Sequence, residues 1–405
     1  MIRTMLHAGA GAALLMAAAG PALAQRAVES PSAAVATPTA PTPGMEDAWV
    51  TGGDFTSHLQ GEVTKPSDTS AKATVFDDSD ANVYVNYSTW LSLYGNLHLE
   101  RNRNDNANDY FPTSNTAFRS EGLTMRQLFV ALRPTSALTL YGGKIHPNFG
   151  SAFALMPGNF YNFASDYEQT ERIGAGVEYR LPELPGLNNA RISLETYYLD
   201  TSLLSNSLLS RPSLTDPTAD RARRFSLGQY GPSNTARFDS FTASLRGGRP
   251  EAGLTYQVSY EQQGTDDPSG KTERGGSIGL MLDPGGGDGI SLGRRLGVIP
   301  FVEYAQFANF GGTADDDRRY LLGGLAFHYV RWEMDVDGGL RRGDAMPLDN
   351  GASTAGLDRQ ENVSLNYTLS PYPLITAGLG INHIDVAGKG GSWSGGPSLS
   401  YEAAF

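Results

Sequence analysis

RIGAGVEYRL, residues 172–181, alternates with a period of two: Ile173, Ala175, Val177, Tyr179 and Leu181 are set against Arg172, Gly174, Gly176, Glu178 and Arg180. In a β-strand these two sets point to opposite faces. WEMDVDGGLR, residues 332–341, repeats the pattern, with Trp332, Met334, Val336 and Leu340 on one face and Glu333, Asp335, Asp337 and Arg341 on the other. The apolar face carries the aromatic residues, and the second face is charged. A soluble sandwich hides its apolar faces against one another, whereas a barrel in lipid turns that face outward and keeps charge inside.

The same period runs from Val83 to Phe405. It predicts about fourteen strands, near 83–100, 122–133, 137–149, 169–181, 190–200, 238–248, 252–262, 273–282, 298–309, 319–329, 332–342, 358–369, 373–384 and 396–405. Tight links at Pro134–Ser136, Gly247–Glu251, Val330–Arg331 and Ser370–Pro371 alternate with long polar ones at 101–121, 150–168, 201–237, 310–318 and 343–357. Short turns at one end and long loops at the other are the habit of transmembrane barrels. The expected fold is therefore all-β, an antiparallel up-and-down barrel over 83–405. Residues 49–82 read as a polar lead-in or partial plug; they leave room for one further pair of strands, so the range is twelve to sixteen.

The N-terminal residues read as an export signal. Arg3 gives a positive start, Ala8 to Ala19 an apolar run, and Ala22-Leu23-Ala24 a small-residue cleavage site, so residues 1–24 are expected to be removed. Residues 25–48 are rich in Ala, Pro, Thr and Ser and lack the bulky side chains a core needs, which predicts a disordered periplasmic linker. The chain has no cysteine, which excludes disulfides and thiolate chemistry. Its 43 acidic residues outnumber 31 basic ones, so nucleic acid is not an expected partner.

Chemistry of other kinds is sparse. His58, His98, His146, His328 and His383 lie on separate segments with no GxSxG or HExxH, so no enzyme is expected. Asp77-Asp78-Ser79-Asp80 and Asp315-Asp316-Asp317 offer carboxylates to a hard cation, but neither has EF-hand spacing and both read as solvated loop tips. No metal and no cofactor are expected.

The last strand, Leu399 to Phe405, ends on an aromatic and resembles the C-terminal strand of Gram-negative outer-membrane barrels. LTLYGGKIHPNFGSAFALMPGNFYNFASDYEQTERIGAGVEY, 138–179, resembles the porin segment in which a Gly-Lys strand enters a loop. These resemblances imply an outer-membrane location and a water-filled channel. They imply Phe405 as an insertion signal read by the barrel-assembly machinery, contact with lipid and lipopolysaccharide, and a homo-oligomer as one option. The expected cargo is ions and small hydrophilic solutes. A substrate-selective channel and a non-conducting scaffold or adhesin remain alternatives.

The expected lumen residues are Arg172, Glu178, Arg180, Arg191, Glu195, Arg246, Glu333, Asp335, Asp337 and Arg341, together with Glu261 and Glu402. Basic residues on the fourth to sixth strands would face Glu333, Asp335 and Asp337 on the eleventh across water. The loop from Phe149 to Asp166 is unusually apolar, with Phe153, Leu155, Met156, Phe160, Tyr161 and Phe163. Folded inward, as in similar porins, it would narrow the channel with Asp166 and Glu168 near the constriction. A bulge at Gly142-Gly143 could reverse the facing of Lys144.

Overall fold

The computed structural model describes residues 49–66, 70–101, 116–118, 121–156, 163–182, 189–205, 209–210, 231–249, 253–283, 290–291, 296–347, 353–387 and 390–405. The expected signal peptide and linker lie outside them.

Sixteen strands form the wall. They are β1 (Trp49–Pro66), β2 (Lys72–Tyr87), β3 (Leu91–Arg101), β4 (Glu121–Leu132) and β5 (Leu138–Ile145). β6 (Arg172–Arg180), β7 (Arg191–Leu199), β8 (Ser240–Arg249), β9 (Leu254–Gln263) and β10 (Glu273–Leu282) follow. β11 (Leu296–Ala308), β12 (Arg318–Tyr329), β13 (Trp332–Pro347), β14 (Ser353–Pro371), β15 (Leu374–Val386) and β16 (Gly390–Ala404) complete it. Each pairs antiparallel with its neighbours in sequence, and β16 returns to β1 from Asp54↔Ala404 to Pro66↔Ser392. The closed ring leaves no edge and satisfies its backbone internally, as a strand wall in lipid must.

The strand count is the upper end of the expected range, and the difference has one source. The segment 49–82, expected as a lead-in or plug, is instead β1 and most of β2, so the barrel begins at Trp49 rather than at Val83. The run 83–100 is not one strand but the end of β2 and the whole of β3, folded at Ser88–Trp90. The turn contains no Gly, Pro or Asn; Ser88 itself takes φ 52°, and alternation runs through the turn without a visible break. The expected long loop 343–357 is also mostly strand, because β13 and β14 extend past the earlier boundaries.

Outward positions are apolar: Ile192 and Leu194 on β7, Val302 and Tyr304 on β11, Val336 and Leu340 on β13 are all exposed. At the short-turn end the aromatics gather, with Trp49 against Tyr87 (ring centroids 4.9 Å apart), Tyr87 against Trp90 and Trp332 against Tyr367. Such a girdle marks a membrane interface. The barrel is a transmembrane one.

β5 is short because the chain turns into the barrel after Ile145. Pairing continues regularly through Gly143, so by register Lys144 shares the outer side with Leu128 and Ile173. It is buried there, 2.8 Å from Asp200 and 3.1 Å from Glu171, and donates to the carbonyl of Leu204. The segment after β7 thus folds back over the top of β5, and Leu209–Ser210 pairs with the edge of β4 that β5 leaves open.

Candidate functional site

The lumen is built from the inward set of each strand, and one stretch of chain crosses it. After β5 the chain enters the barrel, forms one helical turn at Ala152–Leu155 and a second at Phe163–Asp166, and leaves into β6. Its Phe149, Ala152, Met156, Phe163, Ala164 and Tyr167 are buried against Phe301, Ala305 and Phe307 of β11, Tyr320 and Leu322 of β12, and Ile384 and Val386 of β15. Those wall residues all lie on inward faces. Counted from β5 round the sixteen-strand ring, β11, β12 and β15 are six, seven and six places away, so the loop reaches across the barrel to the wall remote from its own strand.

Three carboxylates fasten it. Glu195 on β7 accepts from the Asn148 backbone at 2.8 Å, from the Asn148 amide and from Tyr141. Glu303 on β11 accepts from Ser151 N at 2.5 Å, Ser151 Oγ at 2.6 Å, Ala152 N at 3.2 Å and Tyr167 Oη at 2.6 Å. Burial, reinforced by the Glu303 charge, pushes the Tyr167 phenol well above its usual range, so it remains a donor. Asp166 on the loop meets Arg341 of β13 at 2.6 Å, and Arg341 is held in turn by Asp358 of β14. The Arg341 guanidinium lies over the Phe163 ring, 4.7 Å from its centroid.

Two glycines make the approach close enough. Gly150 takes φ 68°, which an L side chain adopts only with strain, and places its backbone within reach of Ser259 and Gln257. Gly279 on the inner face of β10 has no side chain where Ser151 docks; a Cβ there would stand 2.0 Å from Ser151 Oγ.

The other expected lumen residues fall into separate groups. Glu178 binds Arg191 at 3.2 Å and also Arg246, so these two arginines share one carboxylate within their own wall. Arg180 is exposed at the short-turn rim of the same wall. Arg172 is tied to the returning loop through Thr170 O and Gln169 Oε1. On β13, Glu333 neighbours His328 at 3.2 Å. Asp335 accepts from Ser364 and Asn366, and Asp337 from Asn362. Among the described residues no ion pair is recorded for Asp335 or Asp337. Glu168 lines a cleft beside the loop with His146, Asn148 and Gln257. His146 is held neutral there by burial first and by the charge of Arg126 second.

Glu303, Tyr167 and Asp358 were not singled out by sequence. The available signal was β11 itself, LGVIPFVEYAQFA, which is apolar on both faces, with Glu303 its one charged residue.

No family model and no curated protein sequence matches the chain. Solved structures do. The outer-membrane channel DcaP of Acinetobacter baumannii superposes with a TM-score of 0.52 at 12% identity, covering 89% of this chain and 98% of that one. OmpF of Salmonella typhi, in a complex with daunomycin, gives 0.54 at 10% identity over 89% and 98%. The chain has the outer-membrane porin fold. OprB of Pseudomonas putida agrees, with a TM-score of 0.53 at 10% identity over 88% and 94%. At such identities the porin fold carries over, and substrates do not.

Proposed function

We propose that the protein is an outer-membrane porin, a water-filled channel through which ions and small hydrophilic solutes diffuse passively. The observation that carries this reading is the unequal filling of the lumen. The inward loop docks on β11 and β12, while β16 and β1 to β3 present mainly polar side chains, and among the described residues the apolar cluster under the loop does not extend to them. A sixteen-strand ring is wide enough for water, and a polar inner wall keeps it wet.

In this reading Asp166, Glu168, Glu195 and Arg341 belong to the constriction, and Arg172, Glu178, Arg180, Arg191, Arg246, Glu333, Asp335 and Asp337 line the path around it. Because the arginines of β7 and β8 share Glu178 while Asp335 and Asp337 keep only neutral partners, a preference for cations is expected rather than a strong field between opposite walls. The cleft at His146, Asn148 and Glu168 favours a second reading, a channel selective for a polar solute that these donors and acceptors hold. Insertion through Phe405, contact with lipopolysaccharide and assembly as a homo-oligomer belong to the same proposal.

Single-channel recording in a planar bilayer tests it. The porin reading expects discrete open steps with a reversal potential on the cation side in a salt gradient. A correctly folded barrel that gives no steps is a scaffold, not a porin.

A further inference from the structure

The acidic run at 77–80 is not a loop tip. It lies in the middle of β2, whose alternation sends Asp78 and Asp80 to the lumen while Asp77 takes the other side with Ser57 and Ser79. Register then brings imidazoles to both sides of the pair. Asp80 stands opposite His98 of β3, and Asp78 opposite His58 of β1.

His98 is almost wholly buried, and both of its ring nitrogens face carboxylates. Nδ1 is 3.0 Å from Asp80 Oδ1, a hydrogen bond, and Asp80 is itself fixed by Asn96 Nδ2 at 2.9 Å. Nε2 is 3.7 Å from Asp78 Oδ1, too far for a hydrogen bond. An ion bound at the usual 2.0–2.2 Å to one nitrogen and one oxygen at a tetrahedral angle separates them by about 3.4 Å. The ligand atoms of Asp78, Asp80 and His98 all lie within 4.8 Å of one another. A carboxylate that orients a histidine through one nitrogen while the other meets a metal is the usual outer-shell arrangement of such sites. The Asp78 side chain is 51% exposed, which gives an ion and its remaining water ligands a way in.

We infer that Asp78 and His98, with Asp80 positioning the imidazole, form a lumenal binding site for a divalent transition-metal ion of the Zn²⁺ class. Imidazole nitrogen beside carboxylate oxygen selects a borderline ion over Ca²⁺ or Mg²⁺. The charge of Arg126, from the bulge of β4, acts on Asp80 and opposes a cation bound beside it. A Zn²⁺ ion held there would sit in the part of the lumen that the loop leaves to water, and would slow the passage of other cations. The inference uses the lumenal facing of β2 and β3 and goes beyond the channel reading.

Titration calorimetry with Zn²⁺ on the full-length protein in detergent tests the site, with folding checked by the heat-dependent gel shift of closed barrels. The wild type should show one saturable site, lost in His98→Ala and weakened about 10- to 100-fold in Asp80→Asn. Asp78→Asn, at a half-exposed position that folding tolerates, should weaken it at least about tenfold. Ca²⁺ should give no saturable heat. The site is refuted by a folded wild type that does not bind Zn²⁺, by variants that bind as tightly as it does, or by Ca²⁺ binding equally well. Conductance measured on the same preparation separates the two proposals. Open steps without Zn²⁺ binding remove the metal site and leave the porin, and Zn²⁺ binding without steps does the reverse.

Discussion

The inner face of β11 and β12 and the inner face of β1 to β3 occupy the same lumen and look nothing alike. The first carries Phe301, Ala305, Phe307, Tyr320 and Leu322, packed under the loop as a small dry core with rings 5.1–6.1 Å apart. The second carries Asp54, Asp80, Asn82, Asn96 and His98, with Tyr84 and Tyr94 among them, joined by cross-strand hydrogen bonds such as Asn82 to Asp54 at 2.7 Å and Asn96 to Asn82 at 2.7 Å. A barrel wall made by one strand pattern can thus hold either a core or a water path. The loop decides which. Where it docks, apolar burial fastens it; where it does not, polar side chains tie the wall together and face the solute.

Removing the fastening should have the largest effect. Glu303→Ala leaves Ser151 N, Ala152 N and Tyr167 Oη without their acceptor, at about 1–3 kcal/mol for each donor that water cannot reach. The loop is expected to loosen, with larger or noisier open steps in bilayer recordings and faster proteolysis near 149–167. Unchanged steps would mean that the apolar contacts alone hold it. Arg341→Ala comes next, at about 3 kcal/mol, the lower end for breaking a buried ion pair, because lumenal water reaches part of the space vacated. It also leaves Asp166 and Asp358 without the Arg341 charge, with Tyr320 Oη and Ala387 N still donating to them, so the reversal potential should move further toward cations.

Gly279→Ala should cost about 1 kcal/mol, since the new Cβ meets Ser151 Oγ, which can turn only by giving up Glu303. Thermal unfolding monitored by gel shift would register it, and the equivalent change at the outward, exposed Ile278 should not. The smallest effect on stability is expected from Asp335→Asn with Asp337→Asn, on the polar side of the comparison. Both side chains keep neutral neighbours, so the fold and the step size should persist while cation preference falls. Loss of the steps themselves would instead give these residues a structural role.

The sequence made the face of nearly every strand legible, because alternation is a local property and each face meets one solvent. Val302 and Tyr304, or Val336 and Leu340, could be assigned outward without knowing any partner. Apolar composition also marked the inward loop: Phe163 has no exposed surface and lies where an aromatic loop residue in a barrel must. What failed was non-local. Which carboxylate Arg191 and Arg246 share depends on register across three strands, and Glu178 sits 13 and 68 residues from them. The run around 88–90 hid a turn because serine supplied the positive φ that glycine or asparagine usually announces. Asp78 and Asp80 read as a solvated tip for the same reason, since only the recovered hairpin places them in a strand beside His98.

The loop lies inside the barrel against β10 and β11, and a pair of introduced cysteines measures that directly because the chain has none of its own. A Cβ built at Gly279 stands 3.3 Å from Ser151 Cβ, a few tenths of an ångström short of the usual disulfide range. Ser151→Cys with Gly279→Cys is therefore predicted to form the cross-link on oxidation in the folded barrel, and to hold the channel at its narrow conductance until reductant is added. Thiols that remain free in a folded, conducting protein would place the loop elsewhere and contradict the divided lumen described above.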